Sequence, residues 1–258
     1  QEQSQQLIQT SNAYYTIPQL KLAEILIENS CLDRIFLCHS GLEANEGAIK
    51  LARRYGMTKR DGAYEIITAL NSFHGRSLTT IAATGQPHYQ EKFKPLTSGF
   101  VHVEFNDLSA IMEATNDKTA AVFLEPIQGE GGVNLPSDDY LKNVQTWCTQ
   151  HNILFMVDEV QTGMGRLGSL FGYQEFDLQP DVMTLAKGLG GGVPIGAFMS
   201  TNNAMSLTYG DHGSTFGGNP LTSAAAYAVT KHIIDNDLAT NARTMGNYLM
   251  NLLLLLLR

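Results

Sequence analysis

A mostly parallel β-sheet with helices on both faces, an α/β fold, is what this 258-residue chain predicts, on three observations. Seven short segments read as nearly continuous apolar runs instead of alternating ones, the mark of strands buried on both faces. Stretches of helical period separate several of them, as crossover connections would. Chargeable residues stand directly after some of the runs, at the strand ends beyond which such sheets bind ligands.

In chain order the first strand is Arg34 to Cys38 (RIFLC), and a helix over Glu43 to Tyr55 follows it, introduced by Ser40 and Glu43 at the S-x-x-E spacing of a capping box. The next strands, Tyr64 to Leu70 and Phe100 to Phe105, are rich in aromatic and β-branched residues. A short helix over Leu108 to Ala114 leads to the all-apolar strand Ala120 to Leu124, and a longer one over Asp138 to His151 leads to Ile153 to Val157 (ILFMV). Val182 to Ala186 and Gly196 to Ser200 complete the strands, and Leu221 to Ile234 is the last predicted helix. No internal repeat or low-complexity linker divides the chain.

With 43% hydrophobic and 16% charged residues, the composition is that of a soluble globular protein large enough to bury a sizeable core. A formal charge of −8 and a pI near 5.3 give no electrostatic footprint for nucleic acid, and no run of lysine or arginine addresses an anionic membrane. Cys31, Cys38 and Cys148 include no C-x-x-C pair, so neither a disulfide framework nor a zinc site is signalled, and a reducing, cytoplasmic setting is expected. The opening QEQSQQLIQTSNAYYT has no basic and no apolar region of a secretory signal and lacks an initiator Met, as a processed chain or a fragment would. Six leucines, Leu252 to Leu257, stand near the end. They fall far short of the ~20 apolar residues that span a bilayer, and a helix with leucine all round needs burial on every side. An incomplete or approximated C-terminus is expected there.

The functional question is raised by TLAKGLGGGVPIGA, where Lys187 ends an apolar run directly before a cluster of glycines. A structural ion pair or a solvated strand end would account for the lysine but not for the glycines, which let backbone approach a bulky planar group. In VDEVQTG, Asp158 and Glu159 are adjacent in a strand, so they point to opposite faces and only one meets a given ligand. In SGLEANEG, Gly41 and Leu42 put free N–H groups at a positive helix end suited to phosphate, although a capping box alone more often means only a helix start.

NSFHGRSL places the aromatic face of Phe73 three residues before the guanidinium of Arg76, which suits a planar ligand that bears or meets a carboxylate. The ordinary reading makes Phe73 core and His74 a satisfied buried histidine. LEPIQGEGG gives Glu125 at a strand end, then Gln128 and Glu130 on a Gly-rich turn that would otherwise be a solvated loop.

Two dinucleotide-binding signals fail. Gly163-Met-Gly165-Arg-Leu-Gly168 is a literal G-x-G-x-x-G, but the following SLFGYQEFDLQP is Gly-interrupted and stopped by Pro180, so the long helix that should hold the pyrophosphate is missing. Gly188 to Gly192 fails by spacing, since its sixth position is Val193. What remains is a phosphate subsite, a ring stacker, an aspartate and a lysine. Together they describe pyridoxal 5′-phosphate held covalently through the lysine amine.

On those residues the chain resembles the ornithine-aminotransferase-like subgroup of fold-type-I pyridoxal-phosphate-dependent aminotransferases and, within it, the acetylornithine aminotransferases. The matching stretches are SGLEANEGAIKLAR, SFHGR, ATGQPHYQ, LEPIQGEGGV, DEVQTGMGRLG, LAKGLGGGVPIGA and GDHGSTFGGNPL, which run in family order from about Tyr14 to Ala226.

The resemblance implies a role for each residue. Lys187 would bind the cofactor and, once released, move the proton between substrate carbon and cofactor carbon. Asp158 would pair with the pyridine nitrogen and keep it protonated, with Glu159 turned into structure. Phe73 would stack on one ring face and Val160 pack on the other, with Gln161 near the ring hydroxyl. Gly41 and Leu42 would bind the phosphate, and Thr215 would reach the phosphate of the neighbouring subunit, which implies a homodimer. Arg76 would bind a substrate carboxylate with Ser214 nearby. Glu130 resembles the gate that pairs with a second substrate-binding arginine, which the family carries in a C-terminal domain that this chain does not show.

The expected organisation is a cofactor-binding large domain over 1–235, its N-terminal segment incomplete, and the start of a C-terminal domain over 236–258. The implied reaction moves the δ-amino group of N2-acetylornithine to 2-oxoglutarate, a step of arginine biosynthesis. Ornithine, succinylornithine and 4-aminobutyrate are alternative donors. A non-catalytic pyridoxal-phosphate-fold binding protein is the alternative of another class, against which the joint presence of Lys187, Asp158, Gln161 and Arg76 speaks.

Overall fold

One sheet of seven strands organises the computed structural model, which describes residues 2–256; Gln1, Leu257 and Arg258, and with them the last residue of the leucine run, lie outside the described residues. Helix α1 (Ile17–Glu28) precedes β1 (Arg34–Cys38), and α2 (Gly41–Lys59) leads to β2 (Glu65–Ala69). The short helices α3 (Leu78–Ala83) and α4 (Pro87–Gln90) precede β3 (Phe100–Val103), and α5 (Leu108–Ala114) precedes β4 (Thr119–Leu124). Then come α6 (Tyr140–Gln150), β5 (Leu154–Asp158), β6 (Val182–Leu185), β7 (Gly196–Ser200), α7 (Pro220–Asp235) and α8 (Leu238–Leu256). All seven expected strands form, within a residue or two of their expected bounds. The expected helices form too, α2 running longer than its period suggested.

The strand order is β1-β7-β6-β5-β4-β2-β3. The pairs β2/β3, β2/β4, β4/β5 and β5/β6 are parallel, whereas β7 runs antiparallel to both β6 and β1. It follows that β1 points the same way as β6. The C-terminal ends of β1, β2, β4, β5 and β6 therefore share one edge of the sheet, the edge at which such folds bind ligands.

Both faces are covered, which is why the strands lack alternation. Ala121, Phe123, Leu154, Met156 and Val182 pack under α2 with its Ala48, Ile49 and Leu51. The intervening Val122, Leu124, Phe155, Val157 and Met183 pack against α1, α5, α6 and α7. With a period of two, Asp158 continues the α2 face and Glu159 the opposite one. The segment after Gly168 forms only a 3-10 turn over Gly172–Phe176, so the dinucleotide-binding helix is absent there.

Helix α8 differs from the rest. None of its described residues is buried, and Leu252 to Leu256 are exposed, so the leucine run does form a helix but lacks the all-round burial it would need. Arg243 ties α8 to the sheet domain through Gly168 O at 2.9 Å and Glu175 at 2.6 Å. Among the described residues no helix is long and apolar enough to cross a membrane.

Candidate active site

The shared strand edge encloses a cavity of about 60 Å³. Helix α2 brings Gly41 and Asn45 to it, the loop after β2 brings Phe73 and His74, and the end of β4 brings Glu125 and, further on, Glu130. The end of β5 supplies Asp158, Val160 and Gln161, and the residue two beyond β6 is Lys187. Seven of the expected site residues thus meet: Gly41, Phe73, Glu130, Asp158, Val160, Gln161 and Lys187.

Asp158 is the best-fixed of them. It is 3% exposed, and its Oδ2 accepts from Asn45 Nδ2 at 2.7 Å and from His74 Nδ1 at 2.8 Å, while Oδ1 accepts from the Val160 N–H at 3.0 Å. Asn45 also donates to His74 O, and the His74 ring stacks on Phe123 at 4.4 Å, so the three side chains form one buried unit. Charge-assisted bonds of this kind hold a carboxylate in a single orientation.

Glu159 turns the other way, as the strand period requires. Its carboxylate accepts from Thr162 Oγ1 at 2.9 Å, Gly172 N–H at 2.7 Å and Tyr173 N–H at 2.5 Å, and so ties down the glycine-rich segment after β5. Burial pushes its carboxyl up to about 7. Glu125 is buried beside Asp158, accepts from the Phe73 N–H at 3.1 Å, and is held well above the usual carboxylate range by burial and then by Asp158.

Lys187 opens a 3-10 turn over Lys187–Gly190 and carries φ +43°, a left-handed conformation uncommon for a residue with a side chain. Strain of this kind concentrates at functional positions. Among the described residues its amine has no hydrogen-bond or ion-pair partner, so neither a structural ion pair nor a cap explains it.

Ser40 caps α2, its Oγ accepting from the Glu43 N–H at 3.3 Å. Glu43 reaches back one residue beyond the expected capping box, to the His39 N–H at 2.6 Å. The N–H groups of Gly41 and Leu42 are left without a partner among the described residues, as the first turn of a helix leaves them. A Cβ at position 41 would lie 2.8 Å from Val160 Cγ1, so only glycine lets α2 start against the β5 end. A Cβ at Gly129 would coincide with the side-chain oxygen of Gln161, which makes that turn equally specific.

Arg76 stands at the rim. Its guanidinium lies over the rings of Tyr89 at 5.0 Å and Phe73 at 5.8 Å, and it has no ion pair among the described residues. Ser214 and Thr215 are placed elsewhere. They line a larger concavity of about 990 Å³ with the N-terminal segment, where Gln9 and Asn12 bond their carbonyls and Ser214 Oγ lies 3.1 Å from His39 Nε2. Within this chain, then, Ser214 does not join Arg76. Asn45, Gln86 and Tyr89 were not singled out from sequence. Asn45 was accessible to it, because it stands four residues after Gly41 on the same helix face.

A family model described as Aminotransferase class-III matches residues 1–258. The acetylornithine aminotransferase of Methanocaldococcus jannaschii is 54% identical over 242 residues, covering 92% of this chain and 61% of the relative. That of Gloeobacter violaceus is 54% identical over 247 residues, 95% of this chain and 62% of the relative. Among solved structures, ornithine aminotransferase from Toxoplasma gondii superposes with a TM-score of 0.94 at 35% identity, over 98% of this chain and 61% of that one. Acetylornithine aminotransferase from Elizabethkingia anophelis gives 0.82 at 35% identity, over 96% and 60%. The chain spans about three-fifths of the length of the curated relatives it matches.

Proposed function

The chain belongs to the class-III aminotransferase family, and from that premise we propose that it acts with pyridoxal 5′-phosphate to move the δ-amino group of N2-acetylornithine to 2-oxoglutarate, as a step of arginine biosynthesis. The observation that carries the reading is the convergence of Lys187, Asp158 and the unpartnered N-terminus of α2 on one cavity at the sheet edge.

The residues fit the cofactor. The free N–H groups of Gly41 and Leu42 would take its phosphate, helped by the helix dipole. Phe73 and Val160 would flank its ring, Gln161 would stand near the ring hydroxyl, and Lys187 would hold it covalently. Asp158, anchored by Asn45 and His74, would keep the proton on the ring nitrogen. When bound, the cofactor supplies an electron sink for the carbanion formed at the substrate carbon. Lys187 Nζ, released by the incoming amine, would take the proton from that carbon and return one to the opposite position. Arg76 would orient the substrate through a two-point carboxylate contact, and Glu130 would serve as the gate toward a second arginine supplied outside residues 1–258.

The same reading assigns 1–235 to the cofactor-binding domain and 236–258 to the start of the next. It assigns the groove at Ser214 and Thr215 to a homodimer contact, with Thr215 serving the neighbouring subunit's phosphate. Fully exposed Tyr209 and exposed Phe216, Tyr15 and Ile17 beside that groove support it. Free cysteines at positions 31, 38 and 148 accord with the cytoplasm.

Relatives named acetylornithine aminotransferase at 51–54% identity favour that donor, and the structural likeness to ornithine aminotransferase makes ornithine the second reading. Assaying the complete protein with acetylornithine, ornithine and 4-aminobutyrate against 2-oxoglutarate tests it. The expected order of kcat/KM places acetylornithine first, and turnover of none of the three refutes the proposal.

A further inference from the structure

Two side chains that the reaction as derived leaves unused occupy both oxygens of Glu130. Gln86, nearly buried at the start of α4, donates from Nε2 to Glu130 Oε2 at 2.6 Å and to Ser72 O at 3.0 Å. Tyr89, one turn on, donates its hydroxyl to Glu130 Oε1 at 2.7 Å. Helix α4 is itself fixed, since Gln90 Nε2 donates to Thr84 O at 2.7 Å at the end of α3. These bonds, the one from Gln86 foremost, hold the Glu130 carboxyl below the usual carboxylate range, so it is charged.

Tyr89 has a second contact. Its ring lies under the Arg76 guanidinium and meets Phe73 edge to face at 5.7 Å. Arg76 therefore rests one face on aromatic rings while its N–H edge has no partner among the described residues. An exposed arginine beside a free carboxylate would pair with it. Here the neighbouring carboxylate, which the Arg76 charge helps to keep ionised, has both oxygens turned to Gln86 and Tyr89.

We infer that Gln86 and Tyr89 are positioning residues that hold Glu130 off Arg76, leaving the guanidinium open to a substrate carboxylate and so setting the preference for carboxylate-bearing substrates over simple amines. The inference rests on the reading of Arg76 as the carboxylate subsite. Its physical basis is a competition. A planar guanidinium binds one carboxylate at a time through its paired N–H edge, and an internal carboxylate released from its donors takes the place of the substrate's.

The test uses the complete, cofactor-loaded protein with two readouts: calorimetric affinity for glutarate, a dicarboxylate with no amino or oxo group to react, and steady-state kinetics. Tyr89→Phe keeps the ring under Arg76 and removes only the hydroxyl; Gln86→Leu removes the other donor. Each should weaken glutarate binding and raise KM for acetylornithine roughly tenfold, the scale of one hydrogen bond to a charged group, with kcat changed less than about twofold. With Glu130→Gln alone as the reference, adding either variant should leave both values within about twofold, because the neutral amide no longer competes for Arg76. A merely structural role would weaken binding alike in both backgrounds. Glutarate affinity unchanged in Tyr89→Phe, absent from the parent, or weakened as much by Tyr89→Phe in the Glu130→Gln background as in the parent overturns the inference. A parent that binds glutarate but turns over no amino donor refutes the proposed reaction instead, and the glutarate comparison still decides this one.

Discussion

Asp158 and Glu130 are carboxylates on one cavity, yet they are held in opposite ways. Asp158 is 3% exposed at the end of β5, with donors from α2, from the loop after β2 and from the Val160 N–H two residues on. Glu130 is exposed on a Gly-rich turn and held by two side chains of the single short helix α4 and its N-cap. The inner wall is therefore set by backbone elements packed on the sheet, and the rim by side chains that a point substitution can release. On the proposed function the first arrangement suits the reaction centre and the second a selection device, because preorganised charge acts without rearrangement whereas recognition of two different substrates requires adjustment.

The largest expected effects lie on the inner wall. Lys187→Ala should cut kcat roughly 10⁴-fold, the upper range for a removed proton-transfer group, with the folded state retained. Asp158→Asn keeps the shape but turns an amide toward its own donors, and should lower kcat roughly 10²- to 10³-fold. Glu159→Gln, one residue away on the other face, should be far milder in kcat. The reverse order of these two would place the wrong carboxylate at the site and dissolve the contrast with the rim.

At the rim, Arg76→Lys should lower kcat/KM for acetylornithine roughly 30-fold while cofactor retention and melting temperature stay near the parent's. The absence of an ion pair at Arg76 among the described residues underlies the second half of that expectation. A fall in stability alongside activity would make Arg76 structural.

The smallest effect concerns stability. The folded-state carboxyl of Glu159 is raised to about 7 from an ordinary 4.5, so its contribution to stability is fully present below about 4.5 and is lost as the pH rises through about 7. In Glu159→Gln the melting temperature should be flatter against pH across that window than in the parent, a difference of at most on the order of 3 kcal/mol. Parallel curves for the two proteins would show that the three donors around Glu159 keep it ionised throughout.

The inner wall was also the more legible from sequence. Continuous apolar runs mark the strands, and each candidate site residue of the wall stands within a few positions of a run's end, as Asp158 and Lys187 do. Helix α1 escaped because its twelve residues bury only Leu22 and Leu26, while Ile17 and Leu20 remain exposed, so it has no clean apolar stripe. Helix α3, six residues long, is too short for a period to register. His74 read as an ordinary buried histidine because its partner Asp158 is 84 positions away. Gln86 and Tyr89 reach Glu130 across 44 and 41 positions from a four-residue helix, and no local pattern joins them. Tertiary side-chain pairing of this kind leaves no trace in periodicity.

On the proposed function Lys187 holds the cofactor at the cavity it shares with Asp158. Borohydride reduction of the purified, cofactor-loaded complete protein, followed by proteolysis and peptide mapping, decides this without recourse to kinetics. A single pyridoxyl-modified peptide is expected, labelled on Lys187, with the visible absorbance of the protein lost on reduction. A label on any other lysine, or a protein that takes up no cofactor, would overturn the assignment of Lys187.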